Sequence, residues 1–318
     1  MRHRLTGIFA PIATPFDDEE RIAYAALRRN LEKWARTKLT GLVVLGSNGE
    51  FVHLDPSEKE RMVAFVREHF PADRPVIAGT GAESTRECIR LTKRAAESGA
   101  DAALVLHPSY YKSAMTSPVL ERYFLDVAEA SPIPVMLYNM PRNTGLDLAP
   151  ELVVRLAAHP NIVGIKDSGG NIAAISEVIA GTPDDFAVFA GSGSFLLATT
   201  LMGGVGGTLA VANILPDECA DLFSLARQGR LEQARELQVR LLPVNAAVTS
   251  RWGVAGLKAA LDMVGFYGGP PRRPLPPLGD EARAELRSVL ETAGVRVLRP
   301  PARAPGGRPY RPPRPRRT

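Results

Sequence analysis

The chain has 318 residues, 45% of them hydrophobic and 23% charged, which is enough to bury a large core and too much for one small domain. No apolar run approaches the ~20 residues of a membrane span, and two distant cysteines, Cys88 and Cys219, do not make a disulfide framework. The net charge of +5 is local: residues 296–318 hold eight Arg and no acidic residue, and without them the chain carries −3.

The chain start runs from Met1 almost directly into a strand-like segment, with no h-region or cleavage site, so a cytoplasmic protein is expected. Eight apolar runs follow, over Gly7–Phe16, Gly41–Leu45, Pro75–Gly79, Ala102–His107, Pro134–Tyr138, Ile162–Lys166, Phe186–Ala190 and Val205–Val211. They are continuous rather than alternating, as fully buried parallel strands require. Amphipathic stretches lie between them, such as Tyr24–Arg36, Ser57–His69 and Thr85–Glu97; Asp55-Pro56-Ser57 opens the second, and Gly99 stops the third. Eightfold strand–helix alternation predicts an α/β fold of the (β/α)8 TIM-barrel type over residues 1–213. The competing doubly wound sheet lacks a G-x-G-x-x-G after its first strand. Helical patterns continue from Pro216, through Leu231, Ala234, Leu237 and Leu241, to Gly253–Val264 and, more faintly, Asp280–Thr292. They predict a C-terminal helical extension over residues 214–295. The Pro/Arg-rich segment 296–318 cannot build a core and reads as a disordered tail, with only salt-sensitive, non-specific attraction to offer a nucleic acid.

Active sites of such barrels lie at the C-terminal ends of the strands. Lys166 ends the sixth run and is the only Lys within any run, in a chain with seven Lys in all. An uncharged Lys attacks a carbonyl to give an imine, an electron sink for C–C cleavage; Arg cannot do this. From position alone Lys166 reads equally as a strand-end cation pairing with Asp167. Tyr138 ends the fifth run, where its hydroxyl either relays protons or simply marks a core Tyr at the rim. The Gly-flanked turn Ser47-Asn48-Gly49 offers backbone N–H groups to a carboxylate, or is a plain connector. Ser168, Gly169 and Gly170 after Lys166, Gly191 after the seventh run, and Gly206 and Gly207 in the eighth admit a small ligand or tight packing. Tyr110-Tyr111 follows the fourth run, and His107 ends it as either a base or a rim histidine. The five histidines show no metal-ligand spacing, and no metal is expected.

Five segments in order carry a resemblance: Pro11–Phe16, Gly46–Glu50, Tyr110-Tyr111, Tyr138–Pro141 and Gly164–Asp167. Over roughly residues 5–293 the chain resembles the dihydrodipicolinate synthase / N-acetylneuraminate lyase family, whose fold is a (β/α)8 barrel with a C-terminal helical extension, usually a tetramer. The resemblance implies Schiff-base chemistry on a pyruvate moiety. Lys166 is then the imine-forming lysine, needing no other cofactor, and Tyr138 the proton-transfer tyrosine. Ser47 and Asn48 hold the 2-oxo acid carboxylate, Tyr111 reaches a neighbouring subunit's site in a homotetramer or dimer of dimers, and Thr208 joins the substrate site. Within the family, the segments Gly46–Phe51, Asn143–Leu148, Lys166–Gly170, Asn245–Thr249, Gly256–Lys258 and Tyr267–Pro270 are most similar to 4-hydroxy-2-oxoglutarate aldolases, which implies substrate contacts for Ser168 and Gly191. Asn143 stands where dihydrodipicolinate synthases carry an Arg, with Arg142 just before it; at this far end of the site Asn143 is expected to bind substrate. His107 stands where a small hydroxyl residue is usual, the mitochondrial presequence of the eukaryotic aldolases is not seen, and the basic tail is not part of the family pattern. The alternatives kept are dihydrodipicolinate synthesis, cleavage or dehydration of a 2-keto-3-deoxy sugar acid and, from another class, a non-catalytic pyruvate-binding regulator. Neither membrane nor nucleic acid is an expected partner.

Overall fold

The computed structural model describes residues 5–298. Its strands are β1 Gly7–Pro11, β2 Gly41–Val44, β3 Val76–Gly79, β4 Ala102–Leu106, β5 Val135–Asn139, β6 Ile162–Asp167, β7 Ala187–Ala190 and β8 Gly206–Thr208. Each pairs in parallel with the next, and β8 returns to β1 through Gly7↔Gly206, Ile8↔Gly207 and Phe9↔Thr208, closing an eight-stranded barrel. The period-2 alternation of a strand divides each run between two cores. Phe9, Val43, Ile77, Leu104, Met136 and Phe189 pack with one another in the interior. Their neighbours in sequence, such as Ile8, Ala10, Leu42 and Val44, pack outward against helices through Leu27, Leu31 and Val63. Both faces are covered, which is why the runs are continuously apolar.

Helices Tyr24–Trp34, Pro56–His69, Thr85–Glu97, Ser117–Ala130, Pro150–Ala157, Ile172–Gly181 and Leu196–Leu201 connect the strands. The second begins with a capping box: Asp55 accepts from the Glu58 N–H while the Glu58 carboxylate accepts from the Asp55 N–H. Helix Pro216–Arg227 takes the eighth outer position, its Cys219 and Leu222 sharing the core of Ile8 and Leu42. The extension proper follows as Leu231–Ala246, a π-helical turn over Ala247–Arg251, then Gly253–Met263 and Asp280–Thr292. Pro243 lies inside the first of these, one turn ahead of the widened Ala247–Arg251 turn.

Two predicted strands are shorter in the fold. β1 stops at Pro11 rather than Phe16; the Ile12 N–H still donates to the Val43 carbonyl, after which the chain leaves the sheet while staying buried. β8 stops at Thr208 rather than Val211, because residues Ala210–Asn213 form a 3-10 turn held by the Asn213 amide on the carbonyls of Pro11 and Ala210. At the other end, the chain stays on the body past the expected start of the tail: Val297 packs against the core and the Leu298 N–H donates to the Met263 carbonyl. The rest of the predicted tail, 299–318, lies outside the described residues. Among the described residues, no helix is long and apolar enough to cross a membrane.

Candidate active site

Strand register brings the two principal candidates side by side. Tyr138 on β5 pairs with Lys166 on β6, and Asn139 with Asp167. Both side chains are buried, and the Lys166 Nζ lies 4.1 Å from the centroid of the Tyr138 ring. The Tyr138 hydroxyl points across to the turn after β2, where Ser47 Oγ is 3.4 Å away. Burial alone would push this phenol up. The positive charge of Lys166 and hydrogen bonds from Ser47, Lys166 and Ser168 outweigh that and hold it below its ordinary value. Tyr138 is therefore poised to give up its proton more readily than a free tyrosine.

Ser47, Asn48, Tyr138, Asn143, Lys166, Ser168 and Gly191 all line one cavity of about 760 Å³ at the C-terminal mouth of the barrel. Its charged wall residues are Lys166 and Arg142, with no carboxylate among them, and hydroxyls come from Ser47, Tyr138, Ser168, Ser192, Ser194, Thr249 and Ser250. Such a lining attracts an anionic, hydroxylated molecule. The Arg142 guanidinium donates to the Ser250 carbonyl at 3.1 Å, tying the loop after β5 to the π-helical turn.

Backbone and amide contacts fix the walls. Beside the Tyr138–Lys166 pair, the Asn139 amide donates to Asp147 at 2.6 Å and Asp167 at 2.7 Å, joining the loops after β5 and β6. Asp167 also accepts from the N–H groups of Gly169 and Gly170; burial nonetheless pushes its carboxyl above the usual range. The Gly191 N–H donates to the Asp167 carbonyl at 2.6 Å, and a Cβ at Gly191 would stand 2.0 Å from Ser168 Oγ. Only glycine fits there without displacing Ser168.

Two expected residues are elsewhere. Thr208 is buried at the end of β8 and does not line the cavity, because the 3-10 turn that follows swings Ala210 into the wall instead. Tyr111 also lies off this cavity; it is 73% exposed and packs edge-on against Tyr110. His107 is buried outside the cavity lining, with Nδ1 3.0 Å from the Pro108 carbonyl and Nε2 without a partner among the described residues. Desolvation pushes this imidazole below its ordinary value. Sequence reasoning missed the wall supplied by the extension, in which Leu242, Asn245, Val248, Thr249 and Val254 face the cavity. Among the described residues, no group of three or more His, Cys, Asp or Glu side chains is arranged to hold a metal ion.

Residues 4–293 match the model of the dihydrodipicolinate synthetase family. The chain is 39% identical over 297 residues to a probable mitochondrial 4-hydroxy-2-oxoglutarate aldolase of Emericella nidulans, covering 92% of this chain and 96% of that protein. It is also 39% identical over 285 residues to a 4-hydroxy-tetrahydrodipicolinate synthase of Methanothrix thermoacetophila, covering 89% and 95%. Among solved structures, the chloride-inhibited dihydrodipicolinate synthase of Acinetobacter baumannii complexed with pyruvate superposes with a TM-score of 0.88 at 32% identity, covering 92% of this chain and 99% of that one. Barrel fold and near-full-length similarity agree, and the chain belongs to the dihydrodipicolinate synthetase family of lyases.

Proposed function

We propose that the chain is a class I aldolase that cleaves 4-hydroxy-2-oxoglutarate to pyruvate and glyoxylate through an imine on Lys166. The observation that carries the reading is the Lys166–Tyr138 pair, set in register at the floor of a cavity whose charged residues are all cationic. The substrate's C1 carboxylate rests on the Ser47–Asn48 turn. Lys166 passes its proton to the Tyr138 phenolate and attacks C2; Tyr138 returns that proton to the carbinolamine hydroxyl, which leaves as water, so the iminium forms beside a regenerated phenolate. The C3–C4 bond then breaks: its electrons move toward the iminium nitrogen as the Tyr138 phenolate takes the C4 hydroxyl proton, and glyoxylate leaves. The remaining enamine is protonated at C3, and hydrolysis of the imine frees pyruvate and Lys166. The lowered pKa of Tyr138 supports its role as the base. Arg142, Asn143 and Ser168 are the donors within the cavity for the distal carboxylate and the C4 hydroxyl. The reading requires no cofactor beyond the covalent imine. In a homotetramer or dimer of dimers, Tyr111, exposed in the single chain, would complete a neighbouring copy's site.

A second reading, condensation of pyruvate with aspartate semialdehyde, draws on the equally similar synthase relative. It uses the same pyruvate half of the site. Asn143 in place of an arginine is what favours the aldolase. The test is kcat/KM for 4-hydroxy-2-oxoglutarate cleavage beside that for the condensation in one preparation. Cleavage is expected to be faster by about tenfold or more, and the reverse order would assign the chain to the synthase reaction.

A further inference from the structure

The turn that carries Ser47 and Asn48 ends in a residue with an unusual environment. Glu50 sits in left-handed backbone, φ 55°, and its carboxylate is fully buried. Lys258, on helix Gly253–Met263, is equally buried and brings its ammonium to 2.5 Å from Glu50 Oε1. The same ammonium donates to the Pro270 carbonyl at 2.9 Å and lies 4.3 Å from the centroid of the Phe16 ring. The other oxygen of Glu50 accepts from the Arg272 N–H at 2.9 Å. Arg272 in turn reaches both carboxylate oxygens of Glu58 at 2.7 Å. One buried ion pair thus ties the turn after β2 to the far end of the chain.

Such a pair is a poor device for stability, because desolvating two charges cancels most of their attraction, and apolar replacements of both are often neutral or better. Its distinctive property is placement: a buried charge tolerates few positions for its partner. Burial draws the Lys258 ammonium down to about 8, against the opposing pull of Glu50 and of Asp262 and with Arg272 adding to the fall, so the cost of this burial is substantial. The left-handed backbone at Glu50 adds a local strain that the surroundings must hold. We infer that Glu50 and Lys258 are positioning residues whose ion pair fixes the Ser47–Asn48 turn and so sets the affinity for the substrate carboxylate. This rests on the reading of that turn as the carboxylate site.

The test uses the full chain and pyruvate as the probe, read as the pyruvate concentration that half-saturates trapping by borohydride. Lys258→Met strands the Glu50 carboxylate and is expected to lower Tm. Glu50→Gln/Lys258→Met leaves no buried charge in the pair and is expected to regain most of that loss. Half-saturation is expected to rise about tenfold or more in both, while the trapping rate at saturating pyruvate stays within about threefold. Glu50→Asp keeps both charges, shortens the reach and is expected to raise half-saturation in a fully folded protein. A double variant with recovered Tm and unchanged half-saturation, or an unchanged Glu50→Asp variant, overturns the inference. So does a double variant that binds poorly and stays as unstable as the single one, since a loosened fold then accounts for both. No trapping in the unmodified chain overturns the Schiff-base reading, and this inference with it; trapping there separates the two failures.

Discussion

At the scale of single residues, the proposed chemistry turns on how Tyr138 is held. Its hydroxyl is lowered against the effect of burial by the charge of Lys166 and by hydrogen bonds that include Ser47. Ser47→Ala removes one of the lowering contacts, so the phenol must rise. The limb of the kcat–pH profile that requires the phenolate is expected to shift to higher pH in Ser47→Ala, and a limb that stays or moves lower would show that another group is the base. Lys166 stands out in the sequence as the only lysine inside an apolar run, while position alone reads equally as a strand-end cation pairing with Asp167. Thr208 lies off the cavity for a physical reason: the apolar run continues to Val211, but the sheet does not, and the Asn213 amide turns the chain so that Ala210 faces the cavity. A run of buried residues does not reveal where strand pairing ends.

At the scale of elements, barrel strands supply Tyr138 and Lys166 and the helical extension supplies much of the wall around them. Helix Leu231–Ala246 reaches the loop after β7 with two amides. Asn245 accepts from the Gly193 N–H at 3.1 Å and donates to Ser192 Oγ at 3.0 Å, while Gln238 donates to the Gly193 carbonyl at 2.7 Å and accepts from the Leu197 N–H at 3.1 Å. That loop sits beside Ser168, whose position Gly191 protects. Asn245→Ala leaves the buried Gly193 N–H without its acceptor, a loss of roughly 1–3 kcal/mol. Both a lower Tm and a kcat/KM reduced about tenfold are expected, since loop displacement moves the cavity wall. Unchanged values of both would mean that the extension merely covers the barrel. The eight strands and the helix Thr85–Glu97 were legible because period and caps are local signals. The Asn245 staple and the Glu50–Lys258 pair were not, because nothing in either segment signals which distant segment it meets.

At the scale of the whole molecule, the barrel brings residues from β2, β5, β6 and β7 and from the extension around one cationic cavity. Fold class was readable from eightfold alternation and from the shared spacing of five short motifs. The cavity residues Ser47, Asn48, Tyr138 and Lys166 lie in those motifs; the tie between Arg142 and Ser250 was not legible, since it forms only when the extension folds back over the barrel mouth. The segment 299–318 holds seven of the 39 Lys and Arg residues and no acidic one, enough to turn the net charge positive, and the cavity's own cations, Lys166 and Arg142, lie outside it. Every proposed step depends on Lys166. Treating the full chain with pyruvate and borohydride, digesting it and locating the added mass is the most direct test. The account predicts a reduced pyruvyl adduct on Lys166, loss of activity in step with its formation, and neither adduct nor activity in Lys166→Arg, whose guanidinium is no nucleophile at neutral pH. An adduct on another lysine, or an enzyme that stays unlabelled and active, would contradict it.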